Sequence, residues 1–266
     1  MDLALDIGNS AAKGALFAGG DLQRVFSLNL DPESASAEDW RRALNDALAE
    51  AHPRRAGFSS VVPTATSRVA TALRPPQRFN APPLRVRADA DLRWPFALAY
   101  RTPATLGADR LAAAAAAWTG YGEEKRPVVV LDAGTALTCE AVRAGPDGGV
   151  YEGGAITAGP ALMARALADG TAQLRVPRLE DDLLPAPIGK TTEEALQSGL
   201  MHGLLDTAGG LLRRFTEALA PPTPVVVATG GWGALLYERL EGVDHHAPHL
   251  VLRGVHALLR LNESER

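Results

Sequence analysis

Apolar and polar positions along the chain predict alternating strands and helices. Leu3, Ala4 and Leu5 run into Asp6-Ile7-Gly8-Asn9-Ser10, a group of turn formers, and a second apolar segment, Gly14 to Phe17, precedes Gly19-Gly20. This reads as strand, tight turn, strand, with Asp6, Asn9 and Lys13 at the bend. Between Ser36 and Ala51, Trp40, Leu44 and Leu48 recur at helical spacing. Thr64 to Leu73 is a weaker helical candidate, ended by the Pro-rich stretch Pro75 to Pro83. The strongest helix begins near Asp109, because Leu111 to Trp118 is almost all alanine, the best helix former. Gly120 and Gly122 close it, and Glu123 to Pro127 reads as an exposed connection. Val128 to Leu131 is a β-branched run that predicts a buried strand.

Further along, helices are expected from Pro160 to Ala168 and from Thr192, past Gly199 and Gly203, toward Phe215. Glu193 and Glu194 suit the first turn of the second of these. Val225-Val226-Val227 predicts a strand leading through Thr229-Gly230-Gly231 into a helix, and Leu250 to Leu261 reads as a final strand–helix pair.

The chain also repeats itself. LALDIGNSAAK (3–13) and VVLDAGTALT (129–138) each run apolar strand, Asp-x-Gly, a small polar residue and a second apolar stretch, about half a chain apart. Such a repeat suggests two similar domains facing one another, residues 1–118 and 119–266.

Composition narrows the class. Of 266 residues, 46% are hydrophobic and 22% charged, an ordinary globular balance that argues against disorder. A chain this long buries roughly 75% of its unfolded surface and needs no staples. The net charge of −4 argues against nucleic acid or an anionic membrane as partner. Cys139 is the only cysteine, which excludes an intramolecular disulfide and cysteine-cluster zinc, and it reads as a buried filler. The start MDLALDIGN lacks a basic flank and is not a signal peptide, and no apolar run is long enough to span a bilayer. These features suit a cytoplasmic enzyme.

The candidate chemistry lies in the turns. Gly8 and Asn9 could aim backbone N–H groups at an anion, Lys13 could meet a phosphate, and Asp6 could hold a hydrated metal among phosphates; a plain hairpin turn is the bland alternative. The turn from Asp132 to Thr138 offers a second such loop, with hydroxyls on Thr135 and Thr138. Thr229 either caps a helix, or its two following glycines let a flat ligand such as a purine lie against the backbone. Asp109 either caps the alanine-rich helix or takes a proton from a substrate hydroxyl, with Arg110 beside it to meet an anion. Gly189-Lys190-Thr191 imitates the end of a P-loop, but Leu184 stands where its first glycine would be. His245, His246 and His249 read as a surface loop rather than a metal site.

Taken in order, these loops resemble the type III pantothenate kinases, also called the Bvg accessory factor family, of the actin-like and sugar-kinase ATPase superfamily. DIGNSAAK (6–13) is similar to the family's D-x-G-N-T/S-x-x-K loop, and YRTPATLGADR (100–110) to its Y-x-x-P-x-x-L-G-x-D-R motif. LDAGTALT (131–138), GGAITAG (153–159), GKTTEEALQSG (189–199), ATGG (228–231) and PHLVLRGVHAL (248–258) complete the order. Leu137 and Ala158 stand where the family more often has threonine and proline.

The resemblance implies an α/β fold of two RNase H-like, actin-like ATPase domains, each with a mixed sheet flanked by helices and with a cleft between them. It implies ATP-dependent phosphorylation of pantothenate, the first step of coenzyme A synthesis. Asp109 would be the general base, and Tyr100, Gly107, Ala108, Asp109, Arg110 and Thr192 would contact pantothenate. Asp6, Ile7, Gly8, Asn9, Ser10, Ala11, Ala12 and Lys13, with Thr135, would bind ATP. Mg2+ would accompany the phosphates, and Asp132 would hold a monovalent cation, K+ or NH4+. A homodimer is implied, and the alanine-rich helix supplies small side chains for a close interface or, equally, for packing within the chain. The competing readings are a non-catalytic regulator and a kinase of another hydroxylated small molecule.

Overall fold

The structure, a computed structural model, describes residues 1–74, 79, 81–122, 126–180 and 184–263. The expected Pro75–Pro83 terminator and the Glu123–Pro127 connection lie partly outside the described residues. The chain divides into two compact units: Met1–Gly120 together with Leu250 onward, and Tyr121–His249.

In the first unit, β1 (Asp2–Ile7), β2 (Ala12–Ala18), β3 (Asp21–Leu28), β4 (Arg55–Ser60) and β5 (Leu84–Arg85) form a sheet in the order β3-β2-β1-β4-β5. The first three strands are antiparallel neighbours, while β4 and β5 run parallel to β1. Alternation along β1 assigns its faces. Leu3, Leu5 and Ile7 join a core with Phe58 of β4, Trp40, Leu44 and Leu48 of α1 (Ala37–Leu48), and Ala65 and Val69 of α2 (Pro63–Ala72). Helix α1 starts with a capping box, in which Ser36 and Asp39 satisfy each other's backbone N–H. The short β6 (Phe96–Leu98) and a 3-10 turn (Pro103–Thr105) lead into α3 (Ala108–Tyr121).

In the second unit, β7 (Val128–Ala133), β8 (Ala136–Gly145), β9 (Gly148–Ala158), β10 (Val225–Thr229) and β11 (His245–His246) run in the order β9-β8-β7-β10-β11. The hairpins β7–β8 and β8–β9 are antiparallel, and β10 and β11 lie parallel to β7. Numbered within its own unit, the five strands described for each therefore run in the order 3-2-1-4-5 with the same directions. Helices α4 (Pro160–Gly170), α5 (Thr192–Leu219) and α6 (Gly233–Arg239) complete this unit. Met201, Leu204, Ala208 and Leu212 of α5 pack with Val129, Leu131 and Leu137 of its sheet.

Three expectations change. Leu250 to Leu261 is one helix, α7, and the strand that precedes it is His245–His246. Helix α7 packs on β1, β2 and β4, so the C-terminal stretch belongs to the first unit rather than to a 119–266 domain. Thr229 ends β10 and does not cap α6, whose N-cap is Trp232.

Candidate functional site

The hairpin expected at the N-terminus is present, and its tip places the first candidate loop. Asp6 is the last residue but one of β1 and half-buried, with Lys13 opposite it on β2 and Ser59 opposite it on β4. Directly opposed residues share a sheet face, so the three form one polar row at the C-terminal edge of β1. Ser59 is fully buried and its hydroxyl has no hydrogen-bond partner. Asn9, Ser10, Ala11 and Lys13 are exposed. The N–H of Gly8 closes the turn on the Ala11 carbonyl at 3.0 Å, so it is not one of the donors free to meet an anion.

Asp109 is the second residue of α3, and its position answers both readings of it. Its Oδ1 accepts the Arg110 N–H at 2.8 Å, as a first-turn carboxylate should. Burial pushes its pKa above the ordinary carboxylate value, against the lowering effect of that bond and of the Arg110 charge. Gly107 makes the arrangement possible: a Cβ there would lie 2.6 Å from Asp109 Oδ1. Arg110 is buried and already partnered, and Tyr100 is half-buried and also partnered.

A cavity of about 460 Å³ borders this turn. Gly107 and Ala108 line it on one side, Ser60 and Val61 at the end of β4 on another, and Arg85 and Arg87 on a third. Sequence reasoning missed Ser59, Ser60 and Val61. The signal available was a strand, Arg55 to Ser60, ending in two serines and running through Val61-Val62 into Pro63 at a helix start, the same strand-to-turn pattern as the Asp-x-Gly loops.

In the second unit three turns converge at the end of β7. Asp132 and Thr229 are register partners on β7 and β10. Gly230 takes φ +87°, and a Cβ on it would lie 2.5 Å from both Asp132 Oδ1 and the Ala133 carbonyl oxygen. Only glycine fits such a conformation and contact. The Trp232 N–H donates to the Ala133 carbonyl and the Gly159 N–H to the Thr135 carbonyl, each at 3.0 Å. Gly159 is equally confined, since a Cβ would fall 2.2 Å from the Gly134 carbonyl oxygen. The Asp132–Thr138 turn is thus braced by the 159 and 230 turns, leaving Thr135 exposed and Asp132 half-buried.

Thr192 is the exposed first residue of α5, whose cap is Thr191. The Thr191 hydroxyl accepts the Glu194 N–H at 3.2 Å, and Glu194 accepts the Lys190 N–H at 2.7 Å. Cys139 is fully buried on β8, and burial raises its thiol pKa far above the ordinary value, as suits a filler. Among the described residues no group of three or more His, Cys, Asp or Glu side chains is placed to hold a metal ion.

Comparison with known proteins gives the family. The type III pantothenate kinase profile matches residues 2–214. A Symbiobacterium thermophilum protein named type III pantothenate kinase 1 is 35% identical over 98% of this chain and 97% of its own. A type III pantothenate kinase of Chlorobaculum tepidum is 35% identical over 98% and 94%. Among solved structures, a putative Baf family transcriptional activator from Campylobacter jejuni aligns at a TM-score of 0.56 and 21% identity, covering 98% of each chain. A putative 2-dehydro-3-deoxygalactonokinase from Sinorhizobium meliloti aligns at 0.54 and 15%, covering 98% of this chain and 97% of its own. The two structural likenesses speak to the fold; the full-length sequence matches go further, and by them this chain belongs to the type III pantothenate kinase family.

Proposed function

We propose that this protein transfers the γ-phosphoryl group of ATP to the primary hydroxyl of pantothenate, giving 4'-phosphopantothenate and ADP. The observation that carries the reading is Asp109: a half-buried carboxylate at the head of α3, following Gly107 and Ala108, which line a small-molecule-sized cavity. It orients the hydroxyl and takes its proton as the new P–O bond forms and the bond to ADP breaks. Gly107, Ala108 and Arg110 belong to the same turn and helix start, and Tyr100, ahead of the 3-10 turn, and Thr192 are further substrate contacts by family likeness.

The Asp6–Lys13 hairpin and Thr135 are the proposed ATP-phosphate contacts. Mg2+ suits them chemically, because it binds through one or two carboxylates together with nucleotide phosphates. Such an ion would neutralise charge on the phosphates, with Asp6 as the protein ligand nearest Lys13. Asp132 is the proposed monovalent-cation ligand by family likeness: its Oδ1 and the Ala133 carbonyl oxygen, two hard oxygen donors, both lie beside Gly230.

The chain is proposed to act as a cytoplasmic homodimer. Among the described residues no helix is long and apolar enough to cross a membrane. Ile156, Leu162, Leu167, Val176 and Ile188 are large apolar residues left exposed in the second unit, which supports a partner surface there. The regulatory alternative is not favoured, since Asp6, Asp109 and Asp132 are all in place.

A coupled ADP-release assay with pantothenate, run in potassium and then in sodium, tests the proposal. Turnover that needs pantothenate and rises in potassium is expected. ADP release indifferent to pantothenate overturns the substrate, and equal rates in the two salts overturn the cation.

A further inference from the structure

Strands β1 and β4 present two acids to one face of the first sheet, and the fold treats them differently. Asp2, Ala4 and Asp6 alternate onto that face, and their register partners on β4 are Arg55, Gly57 and Ser59. At one end the Asp2 carboxylate is taken up by the Arg55 guanidinium, through two hydrogen bonds, and by His256. At the other end Asp6 faces a neutral hydroxyl. Ser59 is 0% exposed, and its Oγ has no hydrogen-bond partner among the described residues. A buried hydroxyl left unmet destabilises the fold, and an alanine in its place would remove that cost. The oxygen of Ser59 therefore contributes no bond to the resting structure.

The row it belongs to gives that oxygen a use. Asp6 lies between Ser59 and Lys13, each opposite it on a neighbouring strand about 4.8 Å away. A serine hydroxyl turns between staggered wells about a single side-chain bond. A carboxylate accepts several hydrogen bonds, so Asp6 can take one from Ser59 alongside the contacts it already has. We propose that Ser59 is a positioning residue for Asp6: its hydroxyl donates to that carboxylate when Mg2+ and ATP are bound, and so holds it toward the cation. This rests on the kinase reading above. A neutral donor suits the task, because it fixes the carboxylate and leaves its charge to the cation. A guanidinium, as on Asp2, would neutralise that charge. Ser59 touches neither substrate nor nucleotide and acts through Asp6 alone.

Melting temperatures and steady-state kinetics on the full chain test this, for wild type, Ser59→Ala, Ser59→Cys, Asp6→Asn and the Ser59→Ala, Asp6→Asn double variant. Without metal or nucleotide, Ser59→Ala should melt at or above wild type, because it removes an unmet hydroxyl. With pantothenate, Mg2+ and ATP its kcat should fall on the order of 10–100-fold, the usual effect of losing a group that orients a metal ligand, with KM for pantothenate near wild type. The rise in Tm that MgATP gives wild type should shrink as well. Ser59→Cys, a weaker donor of similar shape, should fall between the two. In the Asp6→Asn background, Ser59→Ala should change neither the residual kcat nor the Tm shift further. A Ser59→Ala enzyme with wild-type kcat and wild-type MgATP shift overturns the inference. So does one that melts below wild type without ligand, and so do losses that multiply in the double variant. A wild type inert toward pantothenate overturns the kinase reading, and the MgATP shift then still decides the role of Ser59. A wild type that is inert and that MgATP does not stabilise overturns both.

Discussion

Asp109 meets two demands with one carboxylate. The helix start favours its negative charge, while burial opposes it. As a general base it must be ionised to work, and a raised pKa moves the acid side of the activity profile upward. The fall of kcat/KM with decreasing pH should therefore centre above about 3.9, the unperturbed aspartate value. A pH–rate profile checks this, and a limb at or below that value contradicts it. Asp109→Asn should cost roughly 10²–10⁴-fold in kcat with ATP binding intact; near wild-type turnover removes Asp109 from the mechanism. A second buried group acts on stability instead. Asp2 accepts Nε and Nη2 of Arg55 at 2.8 and 2.6 Å and lies 3.2 Å from His256 Nε2, whose ring stacks on Phe17. Burial alone would raise the Asp2 pKa, but Arg55 and His256 together lower it; burial lowers that of His256. Both depressed values mean the unfolded chain binds more protons in acid. Their stabilisation is complete above about pH 6.5, is lost first at His256 as pH falls below that, and then at Asp2 below about pH 3.9. Denaturant midpoints across pH 3–8 check this, and a midpoint that rises on acidification contradicts it.

At the scale of elements, the alanine-rich helix is explained by its neighbour. Ala112 to Ala117 are all buried within the single chain, and a Cβ on Gly254 of α7 would lie 1.8 Å from the Ala112 carbonyl oxygen. The small residues therefore serve a backbone-to-backbone crossing of α3 and α7, and they no longer motivate a dimer. Gly254→Ala should cost about 1–3 kcal/mol by overpacking. Gly120→Ala, in the same α3 but with open space around it, should be neutral or stabilising by up to about 1 kcal/mol. Urea unfolding of the two variants compares them; equal midpoints would contradict the crossing. The same crossing shows why sequence reading stopped where it did. The Asp6 and Asp132 turns, α1, α3 and β7 were legible because their periodicity and turn residues agree. Leu250-Val251-Leu252 looked like a strand because every residue is apolar, yet α7 is apolar there because it is buried on several sides. Strand β4 carries no clear strand signal because Gly57 and two serines break its pattern; a Cβ on Gly57 would sit 3.1 Å from Val255 of α7. Strand β3 is mostly exposed or half-exposed and carries no apolar run.

The whole molecule bears the mark of duplication more clearly than its sequence does. Two short strings hinted at a repeat, but both units share the strand order 3-2-1-4-5 and its directions. Each unit places an Asp-x-Gly turn at the end of its first strand, which is where parallel-stranded α/β sheets hold ligands. The exposed apolar residues of the second unit lead to the remaining prediction: light scattering at micromolar concentration should give twice the 28.0 kDa of one chain. A value near 28.0 kDa refutes the dimer. The return of α7 to the first unit has a consequence in time. The ribosome makes β1 and β4 early, but the helix that covers them emerges only after the whole second unit, from Tyr121 to His249, has been synthesised. At roughly 5–20 residues per second, the nascent first unit waits several seconds for the helix that covers the sheet face carrying Asp2, Ala4, Phe17 and Gly57. During that interval the second unit can fold behind it as a continuous piece of chain. The part of the protein made first is thus the part finished last.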